Sequence, residues 1–285
     1  MKVASFRYHA PQTIDEAVSL LAEVAPLDGR ILAGGQSLVP IMAFRLSRPA
    51  HLVDINGVEA LRRLAVDGDR LCIGACVRHS AFHRPVVEGP LGKLLSTVVR
   101  HIAHSPIRAR GTFCGSVAHA DPASEWCTVS AALGAEMVAQ SVRGTRVIPA
   151  HEFFAGIMTT RLAEDELLTE VRLPLLPPDT HLGFYEFNRR AGDFALAMAL
   201  AVYRVEGGRI VAPRLAVGGA ETHVRRIAEA EQVLAGRAPL ADSFSAAADR
   251  AAEAIDPMED AQTSAEYRRD LVRTVMRRAL EQSLL

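Results

Sequence analysis

The sequence predicts an α+β protein that is divided into several lobes. The chain has 285 residues, 49% of them hydrophobic, and a chain of this length usually exceeds what one core can organise. Its pattern changes near residue 60 from strand, helix, strand to short alternating segments. Residues 173–180 (LPLLPPDT) contain three prolines, which end a helix or a central strand. We therefore expect lobes over residues 1–57 and 58–176 and a further domain over residues 177–285.

The first lobe is predicted to form a strand, a helix and two further strands. Residues 2–11 have the character of an extended segment. Thr13 is a candidate N-cap with Glu16 three residues later, which is the spacing of a capping box. Residues 30–35 (RILAGG) and 51–55 (HLVDI) are short apolar runs, the first of which ends in glycine. Short buried strands have this composition.

The second lobe is predicted to be rich in strands. Asp67, Gly68 and Asp69 form a hairpin signal between two alternating segments. Further strands are expected at residues 143–149 and 167–174. Helices are expected at two places in this lobe. The first runs from about Pro90 to Ala103 and precedes a glycine-rich loop, and the second lies within residues 124–140 and leads into a strand.

The third domain is predicted to contain a buried apolar helix at residues 193–205 (DFALAMALAVYRV), a hairpin around residues 206–209 (EGGR) and a charged final helix that ends with residues 266–282. The arginines of the final helix fit either a solvated face or a surface that docks a partner, because arginine is favoured at interfaces. These arginines are Arg268, Arg269, Arg273, Arg277 and Arg278.

Composition and charge exclude several classes of protein. Lys and Arg number 32 against 33 Asp and Glu, a net charge of −1, which gives no electrostatic basis for binding nucleic acid. The sequence contains neither a signal-peptide core nor an apolar run long enough to span a bilayer. We therefore expect a cytoplasmic protein without an integral membrane segment. The scattered cysteines are expected to be reduced thiols, mostly buried, and are Cys72, Cys76, Cys114 and Cys127.

His101 and His104 are three residues apart, which on a helix would place both imidazoles on one face and could indicate a metal ion. We favour a solvated or capping pair near a helix end. No Cys, Asp or third His lies nearby at a spacing typical of metal ligands, so we predict no metal site in this chain.

Two loops combine glycine with a hydroxyl side chain. They are residues 33–38 (AGGQSL) and 111–116 (GTFCGS), and neither is a Rossmann fingerprint or a P-loop. Glycine allows the backbone to approach a ligand, and a Ser or Thr hydroxyl can donate to an anion. A pyrophosphate presents acceptors on two sides, so a pair of such loops favours a diphosphate ligand. The first loop alone would fit an ordinary turn with a left-handed glycine equally well.

Polar residues follow the second loop directly. His119, Asp121 and Glu125 come just before an apolar helix, and Asp121 is predicted to cap that helix with Pro122 at its first position. Because capping is compatible with ligand contact, Asp121 is a candidate for both roles.

The segments at residues 33–55 and 107–125 resemble the flavin-binding medium subunit of the molybdenum hydroxylases, the group that contains carbon monoxide dehydrogenase and xanthine dehydrogenase. The resemblance continues through residues 187–197 and 213–226 and is weaker in the last third of the chain. It implies a two-lobed FAD-binding fold of the PCMH/vanillyl-alcohol-oxidase type, with FAD held between the lobes, followed by a C-terminal α+β domain.

The resemblance also implies the cofactor-binding residues. Six residues would wrap the pyrophosphate of FAD from the first lobe: Ala33, Gly34, Gly35, Gln36, Ser37 and Leu38. Thr112, Gly115 and Ser116 would close on it from the second lobe. Asp121 and Glu125 would lie towards the ribose and adenine, and Leu168 would pack near the flavin.

Three positions depart from the usual pattern of that family. Phe113 and Cys114 stand in the motif that is usually TIGGS. Phe113 is expected to give an apolar or stacking contact to the ring, whereas Cys114 in place of glycine would narrow the loop. Asn188 stands where several relatives have a lysine near the flavin. Its neutral side chain would remove one source of stabilisation for an anionic reduced flavin.

By resemblance, the function is electron transfer by an FAD subunit without a catalytic side chain of its own. The molybdenum cofactor would lie on a large partner and [2Fe-2S] clusters on a small partner, in a dimer of heterotrimers. Electrons would leave to quinone, NAD or oxygen. The alternatives are a stand-alone flavin oxidoreductase of the same fold class, such as the reductase of cell-wall precursor synthesis, and a non-catalytic nucleotide-binding protein. The substrate would be selected by the molybdenum subunit.

Overall fold

The first lobe is a small parallel sheet with the strand order β1-β3-β2. The computed structural model describes residues 2–261 and 263–285. The elements of this lobe in chain order are β1 (Arg7–His9), α1 (Ile14–Val24), β2 (Gly29–Leu32), α2 (Leu38–Ala43) and β3 (His51–Asp54). Leu32 pairs with Asp54 where β2 and β3 end. The chain therefore leaves both strands at the same edge of the sheet, where the first glycine loop begins.

The predicted start of α1 is confirmed. The Thr13 hydroxyl oxygen accepts a hydrogen bond from the Glu16 amide at 3.1 Å, and the Glu16 carboxylate accepts one from the Gln12 amide at 2.7 Å. These bonds satisfy amide groups that a helix start otherwise leaves unpaired. The helix then buries one apolar face, formed by Ala17, Val18, Leu21 and Val24.

The second lobe is an antiparallel sheet with the order β4-β5-β10-β6-β7 and helices packed against it. Its strands are β4 (Leu64–Asp67), β5 (Arg70–Gly74), β6 (Glu136–Ser141), β7 (Gly144–Pro149), β8 (Phe154–Gly156), β9 (Thr159–Thr160) and β10 (Leu167–Pro174). Its helices are α3 (Pro90–Val98), α4 (Ser105–Arg110), α5 (Phe113–His119), α6 (Glu125–Leu133) and α7 (Ala150–Phe153). The predicted hairpin at residues 64–74 and the predicted strands over residues 143–149 and 167–174 are confirmed.

Two details of the predicted second lobe are wrong. Most of the expected glycine-rich loop is helix α5, because the Thr112 hydroxyl accepts from the Gly115 amide at 3.0 Å and starts a helix at Phe113. Asp121 does not cap α6. The cap is Ser124, whose hydroxyl accepts from the Cys127 amide, while Asp121 closes a turn by accepting from the Ala123 amide at 2.8 Å.

The C-terminal domain is an antiparallel sheet with the order β11-β12-β13-β14. Its elements are β11 (His181–Phe187), β12 (Ala197–Glu206), β13 (Arg209–Gly218), β14 (Arg225–Arg226), α8 (Ala228–Leu234), α9 (Ala241–Ala254) and α10 (Ala265–Gln282). The hairpin between β12 and β13 is the predicted one, with Gly207 and Gly208 in left-handed conformations. The sheet is covered by α10 on one face and by the second lobe on the other.

The predicted apolar helix at residues 193–205 is wrong, because this segment contributes the central strand β12. Met198 and Leu200 belong to the core shared with the first two lobes, and Ala199 and Tyr203 belong to the core under the C-terminal helices. A strand buried on both faces is apolar at every position. Its composition therefore lacks the alternation that separates a strand from a buried helix.

The arginines of α10 have partners within the chain. Arg268 is buried and donates to the Met258 carbonyl and to Asp260, and the Arg278 guanidinium lies 5.4 Å from the centroid of the Tyr185 ring. The other three bond to the Ala252 carbonyl, to Asp249 and Asp270, and to Glu281. The pairs with Asp270 and Glu281 lie within α10, and the other contacts hold α10 on its own domain. These contacts give no support to the alternative of a docking surface.

The cysteines are buried and free, as predicted. Burial raises the pKa of the Cys76 thiol to about 11, so this thiol is protonated at neutral pH. Within residues 2–261 and 263–285, no helix combines the length and the apolar content that crossing a membrane requires.

Candidate functional site

The two glycine loops lie in direct contact with each other. The first loop, residues 33–38, leads from the end of β2 into α2, and the second loop, residues 111–116, leads from the end of α4 into α5. A Cβ atom added to Gly34 would lie 2.4 Å from the Arg110 carbonyl oxygen and 2.6 Å from the Gly111 Cα. No side chain fits in this space. Glycine is therefore required at residue 34 because one lobe's backbone touches the other's.

Gly35 has a different role from Gly34. Its φ of +71° lies in the left-handed region, and a Cβ atom there would lie 3.2 Å from side-chain atoms of Leu32 and Val39. This is the conformation that the turn interpretation predicted. The Gln36 side-chain Nε2 donates to the Gly34 carbonyl at 3.0 Å, and Ser37 precedes α2 without capping it. The first loop is thus both a tight turn and one half of the contact between the lobes.

Hydroxyl groups of the second loop are engaged within the chain. Thr112 is buried and caps α5, and a Cβ atom on Gly115 would lie 2.6 Å from the Thr112 hydroxyl oxygen. Gly115 therefore makes room for that cap. The Ser116 and Ser124 hydroxyl oxygens are 2.9 Å apart and hydrogen-bonded. Thr112 retains one hydroxyl hydrogen to donate, since it accepts from Gly115.

The side chains of Phe113 and Cys114 point into the protein core. Phe113 is fully buried and stacks on Trp126 with the ring centroids 4.7 Å apart. The Cys114 thiol is also buried and donates to the Ile73 carbonyl at 3.2 Å. Both occupy the first turn of α5, whose inner face packs against β5 and α6. Phe113 therefore has no open face for stacking on a flavin, and the thiol lies on the sheet side of the helix.

We predict that Cys114→Gly leaves FAD affinity unchanged and lowers the free energy of unfolding. The loss should be about 1–2 kcal/mol, because a buried side chain is removed and glycine is unfavourable in a helix. Urea unfolding and FAD titration measure the two quantities. Cys72→Ala, at another buried cysteine outside the loops, is the control. Tighter FAD binding by Cys114→Gly would mean that the thiol does narrow the loop.

His79 supports the second loop from beneath and was not predicted. A Cβ atom on Gly111 would lie 2.5 Å from His79 Nε2, and the Trp126 indole donates to His79 Nδ1 at 2.9 Å. Burial lowers the pKa of His79 to about 3, so the imidazole is neutral and packs as an uncharged ring. The sequence carries no signal for this role, because Trp126 and Gly111 approach His79 only in the folded chain.

Two cavities lie near the candidate residues, and only the smaller one is lined by the loops. The first, of about 250 Å³, is lined by residues of both lobes, among them Ala33, Cys114, Gly115 and Leu168. The second, of about 610 Å³, lies between the second lobe and the C-terminal domain. Its lining includes Asp121, Met158, Phe194 and Arg268. The structure thus brings Leu168 to one cavity and Asp121 to the other.

A pair of carboxyl groups, Glu125 and Glu186, lies near Asn188. The Asn188 amide donates to Glu186 Oε1 at 2.9 Å. The Glu186 side chain is completely buried, and its Oε2 has no hydrogen-bond partner in the described part of the chain. His101 Nδ1 lies 3.7 Å from this oxygen. Burial raises the pKa of both carboxyl groups, and the nearby Glu186 charge raises the pKa of Glu125 further.

Sequence reasoning included Glu125 but missed Glu186 and the role of His101. The sequence did contain a signal for Glu186: it is a charged residue in the apolar strand segment GFYEF, on the same strand face as Phe184. In the part of the chain that the structure describes, no three metal-ligating side chains are grouped to hold an ion. His104 packs instead against Gly192.

We predict that stability falls as the pH rises from about 5 to 8, and that Glu186→Gln reduces this fall. Burial raises the pKa of Glu186 from 4.5 to about 7. The folded state therefore holds this proton more tightly than the unfolded state. The resulting stabilisation is complete below pH 4.5 and is lost as the pH passes through about 7. Between pH 5 and 8, the free energy of unfolding should fall by roughly 2 kcal/mol more in the unaltered protein than in Glu186→Gln, as measured by urea unfolding.

Glu253→Gln is the matched control for this prediction, since Glu253 is an exposed carboxylate on α9. This variant should keep the pH dependence of the unaltered protein. If Glu186→Gln shows the same pH dependence as the unaltered protein, the buried carboxyl group does not hold the proton.

Two lobes joined at glycine loops, with a cavity beside the junction and a third α+β domain behind, form an arrangement that suits a diphosphate cofactor held between the lobes. Residues 4–176 match the family described as the FAD binding domain in molybdopterin dehydrogenase. Residues 183–283 match the CO dehydrogenase flavoprotein C-terminal domain. The chain belongs to this family of molybdopterin dehydrogenase flavoproteins.

Individual relatives match along the whole chain. The nicotine 6-hydroxylase medium subunit of Paenarthrobacter nicotinovorans is 40% identical over 281 residues, 98% of each chain. A structure of carbon monoxide dehydrogenase from Hydrogenophaga pseudoflava, which lacks the Mo-pyranopterin moiety of its cofactor, matches with 34% identity and a TM-score of 0.95 over 100% of this chain and 99% of that chain. Quinoline 2-oxidoreductase from Pseudomonas putida 86 matches with 36% identity and a TM-score of 0.92, over 99% and 98%.

These matches confirm the predicted family, the FAD cofactor and the two-lobed FAD-binding fold with its C-terminal α+β domain. The chain is an FAD-binding oxidoreductase subunit of this family.

Proposed function

We propose that this chain is the electron-transfer subunit of a heteromeric molybdenum hydroxylase. Its FAD would take electrons from iron–sulfur clusters on a small partner and pass them to an external acceptor. The observation that carries the proposal is the backbone contact between Gly34 and the Arg110–Gly111 segment. This contact joins the glycine loops of two lobes into one surface, which suits a diphosphate better than two separate turns would.

The cofactor fits the residues present. We place the pyrophosphate along the two loops, at residues 33–38 and 112–116. The cavity of about 250 Å³ is lined by Ala33 and Gly115 of the loops and by Leu168. We therefore place the flavin in this cavity, next to the pyrophosphate, as the resemblance implies.

The protein would bind and orient the cofactor and exclude water from it. When bound, FAD supplies the conversion between one-electron and two-electron transfer. The Asn188 side chain is uncharged, and its amide group donates to Glu186. Residue 188 would therefore supply no positive charge to the flavin.

The partners are part of the proposal. A large subunit would hold the molybdenum cofactor and a small subunit the [2Fe-2S] clusters, as a dimer of heterotrimers. Two of the similar proteins support this: one is the medium subunit of nicotine 6-hydroxylase, and the carbon monoxide dehydrogenase has a molybdenum cofactor, whose Mo-pyranopterin moiety is missing from the matched structure.

Purification of a tagged full-length chain from its native host tests the proposal. We expect flavin absorption bands, two co-purifying chains, and molybdenum and iron in the complex. Substrate-reduced complex mixed separately with quinone, NAD and oxygen would then identify the acceptor. A flavoprotein without partners would favour the stand-alone oxidoreductase, and a chain without flavin after supply of FAD would favour the nucleotide-binding alternative.

A further inference from the structure

A chain of hydrogen bonds connects the two glycine loops through side chains that sequence reasoning did not single out. The Asn56 side-chain amide donates to the Ala33 carbonyl of the first loop at 2.7 Å. The Arg78 guanidinium donates to the Asn56 side-chain oxygen and, through its other terminal nitrogen, to the Arg110 carbonyl directly before the second loop. We call these two side chains the Asn56–Arg78 bridge.

Each end of the bridge is anchored in a different lobe. Asn56 lies in a 3₁₀ turn, Ile55–Gly57, directly after β3, and its backbone amide donates to Asp54 at 2.9 Å. Arg78 follows β5, and its backbone pairs with Thr112 at the start of the second loop. Both side chains are half-buried, and burial lowers the pKa of Arg78. The bridge is thus held by the backbone at both ends.

The bridge acts on the carbonyl groups of the loops. A carbonyl oxygen that faced a phosphate would repel it, because both carry negative charge. Backbone N–H groups are the loop atoms that attract anions. By binding the Ala33 and Arg110 carbonyls, the Asn56–Arg78 bridge keeps these two acceptors directed at its own donors. It also fixes the spacing of the loops, since two hydrogen bonds and the Gly34 contact act on the same few residues.

We infer that Asn56 and Arg78 are positioning residues that hold the two loops in the arrangement required for the FAD pyrophosphate. The inference rests on the proposed function, because it assumes that the loops bind FAD. Neither side chain needs to touch the cofactor. Their effect is to organise the loops before FAD arrives, which reduces the ordering that binding would otherwise require.

Arg78→Met and Asn56→Ala test the inference in the full-length chain after removal of flavin. We expect each to raise the FAD dissociation constant by about 10- to 100-fold, because each loses a hydrogen bond to a backbone carbonyl, and for Arg78 that bond is charge-assisted. The double variant should bind FAD no more weakly than the weaker single variant, since both act through one bridge. Flavin fluorescence titration measures all three.

Arg62→Met is the matched control. The Arg62 guanidinium donates to the Asn56 backbone carbonyl at 2.7 Å and pairs with Glu59, so it contacts the same turn, but these two bonds reach neither loop. This variant should bind FAD as the unaltered chain does. Arg78→Lys should recover only part of the affinity, because an ammonium group lacks the planar fork that reaches two acceptors.

Hydrogen exchange of the flavin-free chain separates positioning from general destabilisation. In Arg78→Met and Asn56→Ala, amides of residues 33–37 and 110–112 should exchange faster while those of α6 keep their rates. Unchanged FAD affinity in both variants, equal weakening in Arg62→Met, or faster exchange throughout the chain would each overturn the inference. Failure of the unaltered chain to bind FAD would instead overturn the proposed function on which it rests.

Discussion

Gly34→Ala is expected to weaken FAD binding by about a hundredfold, because it forces the two lobes apart at their point of contact. The new Cβ atom would lie 2.4 Å from the Arg110 carbonyl oxygen and 2.6 Å from the Gly111 Cα. Both are backbone atoms, so the contact cannot be relieved by rotating a side chain. Titration of the flavin-free chain with FAD, followed by flavin fluorescence, measures the change.

Gly156→Ala is the control for Gly34→Ala. Its nearest neighbour would be a Thr159 atom at 4.0 Å, and its φ lies outside the left-handed region. It should bind FAD normally. Gly35→Ala should have a smaller effect than Gly34→Ala, since its contacts are flexible side chains and its main difficulty is a left-handed backbone, worth about 1–2 kcal/mol. Normal FAD affinity in Gly34→Ala would show that the contact between the loops is unimportant for the cofactor.

Gly183→Ala is expected to destabilise the C-terminal domain by about 3 kcal/mol or more. Gly183 lies in β11 where α10 crosses it, and a Cβ atom would lie 1.7 Å from the Ala279 carbonyl oxygen and 2.9 Å from the Ser283 amide nitrogen. The helix would have to move away from the strand, which would also expose Leu271, Val275 and Met276 of its buried face. Urea unfolding followed by circular dichroism measures the loss.

Gly236→Ala provides the comparison for Gly183→Ala. Gly236 has a φ of +74°, and no atom lies within 4 Å of its added Cβ. Only the left-handed conformation is unfavourable there, at about 1–2 kcal/mol. If the two variants lose equal stability, the close packing of α10 on β11 is not what makes glycine necessary at residue 183.

Local signals in the sequence predicted most elements correctly. The Thr13 cap, the hairpin at Gly68 and the glycine pair between β12 and β13 all depend on residues a few positions apart. The segment at residues 193–205 was misassigned because a strand buried on both faces has no alternation. The glycines near Thr112 predict a loop, but a helix begins at Phe113 because the Thr112 hydroxyl accepts a hydrogen bond from the Gly115 amide.

For the candidate site, the sequence predicted two glycine loops, and the family resemblance supplied the residues that would bind the cofactor. The glycine positions indicated where the backbone approaches another group, but the group that Gly34 approaches is the second loop. The sequence predicts that Phe113 contacts the flavin ring and that Cys114 narrows the loop, because both stand in the cofactor motif. Their side chains face the core because the helix begins immediately before them. The role of Glu186 depends on Glu125 and His101, which come from other elements.

The sequence by itself determined the class of the protein and its FAD cofactor, because its motifs resemble those of a known family, and it singled out the two loops that we propose bind FAD. Only the tertiary structure decided that the loops touch, that the Asn56–Arg78 bridge connects them, and which loop side chains face inward. The physical reason is the separation along the chain between the residues that interact. Caps, turns and periodic faces are set by neighbours in the chain, whereas contacts, burial and pKa depend on atoms that distant segments bring together during folding.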